Sequence, residues 1–219
     1  MNRTSIEWTA WSWNPITGCR HGCRYCYARS MYHRFKRSFE PAFHPDRLDQ
    51  PLRVRRPSRI FLGSVTDLCG PGVEDEWIDA VIDVVRRTPQ HTYQALSKAP
   101  ERWARHDWPA NVWLGATATN QAQWDRAADG LRDAVLREPQ RITFVSAEPL
   151  LGRIDPGQWM PHWLIIGAQT GPGGRQPEEE WVAHLEARAA SERLPVFHKP
   201  NLTIRPQPQR REFPPDRTR

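Results

Sequence analysis

Three cysteines stand close together near the start of the chain. Cys19, Cys23 and Cys26 follow a C-x3-C-x2-C spacing, and Tyr25 fills the position before the third. A loop that brings three thiolates this close can bind three corners of a cubane iron–sulfur cluster. The fourth iron is then left without a protein ligand, and an iron with an open coordination position is a reactive centre. The spacing therefore predicts a [4Fe–4S] cluster that takes part in a reaction.

A structural zinc ion is the main alternative for these cysteines, because clustered thiols often bind zinc. Zinc takes four ligands, so His21 or Cys69 would have to complete the set. His21 lies between two of the cysteines, where joint tetrahedral ligation is awkward, and Cys69 is of a type usually buried as an apolar residue. A disulfide is favoured less, because four cysteines with three in one loop do not make a disulfide framework.

The chain is basic, and its charge is uneven. The formal net charge is +6, and residues 29–59 contain nine Lys or Arg opposed by Glu40, Asp46 and Asp49. Such a stretch predicts a polyanionic partner, and some of the eleven tryptophans could stack on bases. The alternative is a solvated arginine-rich surface that contacts no nucleic acid.

The length of 219 residues suits one domain with a sizeable core. The N-terminal segment has no apolar run long enough for a signal peptide, and no later segment approaches a membrane-spanning length. We therefore expect a cytoplasmic protein without membrane contact, in the reducing setting that an exposed iron–sulfur cluster needs.

Short apolar runs alternate with amphipathic segments along the chain. Strands are predicted to end near residue 13 and to span 58–64, 91–96, 111–117, 141–146, 162–168 and 194–198, and helices to span 25–36, 74–87, 100–106, 120–136 and 177–190. This alternation predicts an α/β fold with mostly parallel strands. Six or seven β/α units fall short of a full barrel, so we expect a partial, laterally open TIM-like barrel of the (β/α)6 type. Residues 1–200 would form this single domain, and 201–219 a basic tail rich in Pro and Arg, disordered or loosely packed.

Functional side chains of such barrels gather at the carboxyl ends of the strands. The candidates to bind a cofactor or substrate are therefore the polar residues that follow predicted strands: Ser64, Asp67, Lys98, Thr117, Glu148 and Gln169. Glu148 is the most specific of them, because a carboxylate held before Pro149 at the end of an apolar strand could bind an amine or a ribose. The glycine-rich turn at 167–174 would let the backbone approach a ligand closely.

The cysteine spacing, with an aromatic residue before the third cysteine, resembles the radical S-adenosylmethionine superfamily. Further motifs follow in the order typical of a phage-associated family with a three-cysteine motif, long carried as a domain of unknown function: Ile6-Glu7-Trp8-Thr9, Trp13-Asn14-Pro15, Thr17-Gly18-Cys19, His44-Pro45-Asp46-Arg47-Leu48, Leu96-Ser97-Lys98 and Phe144-Val145-Ser146. This resemblance covers about residues 5–200. The chain departs from the family in a shorter gap between the first two cysteines and in Gln169, where relatives tend to have glutamate.

The resemblance implies a radical S-adenosylmethionine core fold, in which S-adenosylmethionine chelates the open iron and Tyr25 flanks the adenine. It also implies an electron donor such as flavodoxin or ferredoxin. The short chain has little room for an appended substrate domain, so a partner protein could be required. Phage association and the basic stretch favour nucleic acid, DNA or tRNA, as the substrate of a modification or repair reaction, in the host cytoplasm if a phage encodes the chain. Two alternatives stay open: a radical enzyme acting on a peptide or small metabolite, and a non-enzymatic zinc-bearing protein that binds nucleic acid.

Overall fold

The computed structural model describes residues 1–171 and 173–215. Strands and α-helices alternate over that part of the chain, in the order β1 (Asn2–Arg3), β2 (Trp11–Trp13), β3 (Ile16–Thr17), α1 (Tyr27–Arg34), β4 (Ala42–Phe43), β5 (Arg59–Leu62), α2 (Asp75–Arg86), β6 (Thr92–Ser97), β7 (Val112–Thr117), α3 (Gln121–Arg137), β8 (Thr143–Ala147), β9 (Trp163–Ile166), α4 (Glu179–Ser191) and β10 (Val196–His198). Short 3₁₀ helices span Pro45–Arg47, Pro51–Arg53 and Pro100–Arg105. The predicted helices and strands are therefore present, with ends that shift by a few residues.

Eight strands form one sheet in the order β1-β2-β5-β6-β7-β8-β9-β10. Strand β1 is antiparallel to β2, whereas β2 with β5, β5 with β6, β7 with β8, β8 with β9 and β9 with β10 pair in parallel. Strands β3 and β4 form a separate antiparallel pair. The prediction of an α/β fold with mostly parallel strands is confirmed, and the partial barrel stays a prediction.

The chain divides into two compact units. The first comprises Met1–Ser97 and Arg102–Trp113, and the second comprises Lys98–Glu101 and Leu114–Arg219. In the first unit α2 buries five apolar side chains, which are Ile78, Val81, Ile82, Val84 and Val85, and four of them follow the 3.6-residue period of a helix with one apolar face. In the second unit β8 and β9 are buried along their whole length. The predicted domain boundary at residue 200 stays a prediction.

Helix α3 begins directly after its cap residue, Asn120. Asn120 has an extended backbone, and its side chain accepts a hydrogen bond from the backbone N–H of Gln123 at 3.1 Å. This bond satisfies one of the donors that every helix start leaves open. Among the described residues, no helix combines the length and apolar character needed to span a membrane.

The prediction of a disordered or loosely packed tail is wrong for residues 201–215. Leu202 is fully buried, and the indole N–H of Trp163 donates to the carbonyl of Glu212 at 2.9 Å. The ring of Phe213 lies 5.3 Å from that of Trp163 and 5.5 Å from that of Phe197. Arginine and proline dominate this segment by number, but a few widely spaced apolar side chains anchor it. The predicted tail residues 216–219 lie outside the described part.

A partly buried ion network also holds this segment. His198 Nε2 lies 2.8 Å from Glu186 Oε1, and Arg205 Nη2 lies 2.7 Å from Glu186 Oε2. Burial alone would raise the pKa of Glu186, but the hydrogen bond with His198 and the charge of Arg205 outweigh it and lower that pKa. The network thus favours the ionised carboxylate.

We expect this network to make stability depend on acid pH. A carboxyl group whose pKa is lowered by folding adds stability above its unfolded pKa and loses it as the pH falls through the folded value. Between about pH 5 and pH 3, the free energy of unfolding in urea should fall more for the wild type than for Glu186→Gln. Asp133→Asn, which removes an exposed carboxylate on α3, should follow the wild type. Parallel pH curves for the wild type and Glu186→Gln would contradict this prediction.

Candidate functional site

The cysteine loop begins directly after β3 and is anchored to two other segments of the first unit. The backbone N–H of Gly18 donates to the carbonyl of Val65 at 3.0 Å, and the hydroxyl of Thr66 donates to the carbonyl of Gly18 at 2.7 Å. The N–H of Cys19 donates to the carbonyl of Phe39 at 2.8 Å. The first cysteine therefore has a fixed backbone position.

Two glycines in this loop have left-handed backbone, for different reasons. Gly18 has a φ of +86°, and a Cβ there would lie 2.1 Å from the carbonyl oxygen of Glu40. Gly22 has a φ of +69°, and no described atom lies within 4 Å of the place of its Cβ. Gly18 is therefore required both by the turn and by a close backbone approach, whereas Gly22 is required by the turn alone.

The three cysteines of the loop are partly exposed, and none is in a disulfide. Cys26 caps α1, since its Sγ accepts a hydrogen bond from the N–H of Arg29 at 3.3 Å. Burial raises the pKa of Tyr25, and the adjacent Cys23 raises it further by its charge and hydrogen bond, as does the charge of Cys26. The phenol of Tyr25 thus lies within hydrogen-bond reach of the Cys23 thiol, in the loop predicted to bind a cluster.

The donor set fits an iron–sulfur cluster in its chemistry, because it offers three uncrosslinked thiols in one loop. Within residues 1–171 and 173–215, no three His, Cys, Asp or Glu side chains are already gathered around a single metal position.

The buried carboxylate of Asp67 braces this loop. Its Oδ1 accepts hydrogen bonds from the hydroxyl of Ser97 at 2.5 Å and from the N–H of Cys69 at 3.1 Å. Its Oδ2 lies 2.9 Å from Nε2 of His21, which stands between the first two cysteines. Asp67, predicted to bind a cofactor or substrate, therefore has contacts on both oxygens within the first unit. The role of His21 as its partner was not predicted.

Cys69 lies in a separate, tightly held segment. It is fully buried, as its residue type predicts. Arg102 holds the segment with Nη1, which donates to the carbonyls of Cys69 at 3.1 Å and Gly70 at 3.2 Å. Its Nη2 donates to the carbonyl of Val73 at 3.2 Å and to the carboxylate of Asp75. Sequence reasoning missed this role of Arg102, because nothing in its local pattern distinguishes it from a surface arginine.

Ser64, another predicted site residue, joins the ends of β2 and β5. The side chains of Asn14 and Ser64 exchange hydrogen bonds at 3.0 and 3.2 Å. The phenol of Tyr27 donates to the carbonyl of Ser64 at 2.5 Å. Ser64 therefore connects the strand ends to the first residue of α1.

The remaining predicted residues lie in the second unit. The ammonium of Lys98 donates to the hydroxyl of Thr117 at 3.5 Å, so these two candidates lie together. Oε1 of Glu148 lies 3.9 Å from Nζ of Lys199. A Cβ on Gly167 would lie 2.9 Å from Cγ of Glu148 and 3.0 Å from Cγ of Lys199, so glycine makes room for this pair.

Gln169 lies in the glycine-rich turn, where its N–H donates to the carbonyl of Arg175 at 3.1 Å. Asn201, which sequence reasoning missed, holds the preceding residue. Its Oδ1 accepts from the N–H of Ala168 at 3.2 Å, and its Nδ2 donates to the carbonyl of Ala168 at 2.8 Å. The turn and the start of the C-terminal segment are therefore tied together.

A family model described as "Protein of unknown function (DUF5131)" matches residues 3–210, nearly the whole chain. No curated protein and no solved structure matches the chain significantly.

Proposed function

We propose that this chain, which belongs to the family described as "Protein of unknown function (DUF5131)", is a radical S-adenosylmethionine enzyme that modifies or repairs nucleic acid. The observation that carries the proposal is the loop of three partly exposed thiols at C-x3-C-x2-C spacing, none in a disulfide. When bound, a [4Fe–4S] cluster and S-adenosylmethionine supply one-electron cleavage of the sulfonium to methionine and a 5′-deoxyadenosyl radical, which removes a hydrogen atom from the substrate.

The chain's own residues would bind and orient these groups. Cys19, Cys23 and Cys26 would bind three irons, and the neighbouring phenol of Tyr25 would flank the adenine. His21, held by Asp67, fixes the middle of the loop. Rigid support of this kind limits the number of arrangements that the three thiols can adopt and so favours cluster binding.

The strand order supports the proposal of a partial TIM-like barrel with a radical S-adenosylmethionine core. Strands β5 to β10 are neighbours in the same order as in the chain, as in a parallel barrel. Lys98, Glu148 and Gln169 come after a strand and Thr117 is the last residue of one, so they stay candidates to bind S-adenosylmethionine or substrate.

The positive charge supports nucleic acid, DNA or tRNA, over the alternative of a peptide or small metabolite. The net charge is +6, and the most basic stretch begins in α1, the helix that Cys26 caps. Reduction of the cluster would need a donor such as flavodoxin or ferredoxin, and a partner protein could complete the substrate site.

One observation favours a second candidate, a zinc-bearing nucleic-acid-binding protein without enzymatic activity. Zinc-binding histidines usually hold a carboxylate with the ring nitrogen that does not bind the metal. His21 has this arrangement, since its Nε2 lies 2.9 Å from Asp67 and its Nδ1 would be left for a metal. Zinc would then be bound by three thiols and His21.

Anaerobic purification and reconstitution separate the two functions. We expect a brown protein whose reduced EPR signal shifts when S-adenosylmethionine is added, both in the wild type and in His21→Gln. Glutamine has an amide that can donate a hydrogen bond to Asp67, but it is a poor metal ligand. A colourless wild-type protein that binds one zinc ion, and loses it in His21→Gln, would overturn the radical proposal and establish the second candidate.

A further inference from the structure

A cavity lies beside α1 in the first unit. Its volume is about 560 Å³, within the range of roughly 300–1,000 Å³ typical of small-ligand sites. Its walls consist of polar, basic and aromatic side chains: Arg29, Ser30, His33, Arg37, Ser38, Phe39 and Glu40. The cavity is therefore large enough for a nucleotide.

A reversal of the chain after α1 creates this cavity. Lys36 has a φ of 51°, and the N–H of Arg37 donates back to the carbonyl of Tyr32 at 2.9 Å. The ring of Phe39 then lies 4.9 Å from that of Tyr32. The segment at 38–40 consequently runs back beside the helix and forms the facing wall.

The charge of the cavity favours an anion. Arg29 and Arg37 are always cationic at neutral pH, and His33 adds further nitrogen atoms. The carboxylate of Glu40 is already paired with Arg20, at 2.5 Å. Nη2 of Arg29 donates to the carbonyl of Cys19 at 2.8 Å, whereas its buried Nε has no hydrogen-bond partner among the described residues. Arginine forks and serine hydroxyls suit the oxygens of a phosphate.

The same helix, with Phe35 directly after it, carries an exposed apolar stripe. Tyr27, Met31 and Phe35 are spaced four residues apart, so they lie along one face, and they are 58, 39 and 62% exposed. Contiguous exposed apolar patches mark interaction sites, whereas single exposed apolar residues do not. Single-stranded nucleic acid has both phosphates for a basic cavity and base faces that stack on aromatic rings.

We propose that α1 and the cavity beside it bind a single strand of nucleic acid, with a phosphate in the cavity and bases on Tyr27 and Phe35. The inference rests on the proposed function for treating the strand as substrate. Since Cys26 caps α1 and Arg29 binds the carbonyl of Cys19, the strand would lie next to the cluster loop.

Fluorescence anisotropy with labelled single-stranded DNA and RNA of one sequence tests the proposal on the reconstituted protein. Arg37→Gln and Phe35→Ala should each weaken binding of the preferred strand about tenfold. Arg37→Gln should also reduce the slope of log affinity against log salt by about 0.7. The matched control is Arg34→Gln, which removes an equal charge from an exposed position on α1 outside the cavity lining and should change affinity less than about twofold.

Two results would overturn the proposal: equal weakening by Arg34→Gln and Arg37→Gln, or binding of poly-glutamate as tight as that of nucleic acid. The three changed side chains are exposed, and circular dichroism checks that each variant folds. Binding is measured without turnover. A reconstituted protein that binds no strand would therefore contradict this inference without changing the EPR result that tests the proposed function. Conversely, tight strand binding by a protein that forms no cluster would support this inference and contradict the proposed enzymatic function.

Discussion

Replacing Cys23 by alanine is expected to remove nearly all iron from the reconstituted protein, and Cys19→Ala and Cys26→Ala should do the same. In the proposed cluster each thiolate would bind one of three irons, so a missing thiolate would leave a second iron without a protein ligand. Iron and sulfide per chain, the visible absorption and the EPR signal of the reduced protein measure this loss. Because the three cysteines are partly exposed, these changes leave the core intact, which urea unfolding would verify.

Cys69→Ala is the matched control for these three variants. Cys69 is fully buried in a segment held by Arg102, away from the C-x3-C-x2-C loop in sequence. Its truncation should cost about 1 kcal/mol of stability, the usual cost of a small loss of core volume, and should leave the cluster in place. Full iron content in any of the three loop variants, or its loss in Cys69→Ala, would contradict the assigned ligand set.

Local pattern was enough to predict most of the elements. The amphipathic segments of α2 and α3 and the apolar runs of β7 to β9 depend on neighbours within a few residues, so a single sequence reveals them. The tail was mispredicted for the same reason. Leu202 is buried in the core and Phe213 packs against Trp163, and no short window of sequence shows either contact.

The features of the candidate site also divide into those set by local pattern and those set by tertiary contacts. Cysteine spacing is a local pattern, and it predicted which thiols share a loop. The contact between His21 and Asp67 joins residues 46 apart, and its existence depends on how the loop after β3 meets the loop after β5. The position of Lys98 at a strand end could likewise be predicted, but its contact with Thr117 depends on tertiary packing. The sequence therefore predicted the residues that could bind a metal or ligand, but not the tertiary contacts that fix their positions.

Gly18→Ala is expected to damage the cluster loop through its backbone, although it changes no ligand. The left-handed conformation alone costs about 1–2 kcal/mol for a residue with a Cβ. The new Cβ would also lie 2.1 Å from the carbonyl oxygen of Glu40 and 2.8 Å from that of Phe39. Relief of this contact has to move the segment that accepts the hydrogen bond from Cys19. We therefore expect a lower free energy of unfolding in urea and a large drop in reconstituted iron.

Gly22→Ala is the control that separates the effect of the close contact at Gly18 from the effect of the left-handed backbone. Its φ of +69° carries the same conformational cost, but its Cβ would meet no described atom within 4 Å. Gly22→Ala should therefore lose about 1–2 kcal/mol and keep most of its iron, and the difference between the two variants measures the contact with Glu40. Equal unfolding free energies and equal iron contents would show that the approach of Glu40 to Gly18 does not position the first cysteine. The thiols would then owe their arrangement to the brace between His21 and Asp67.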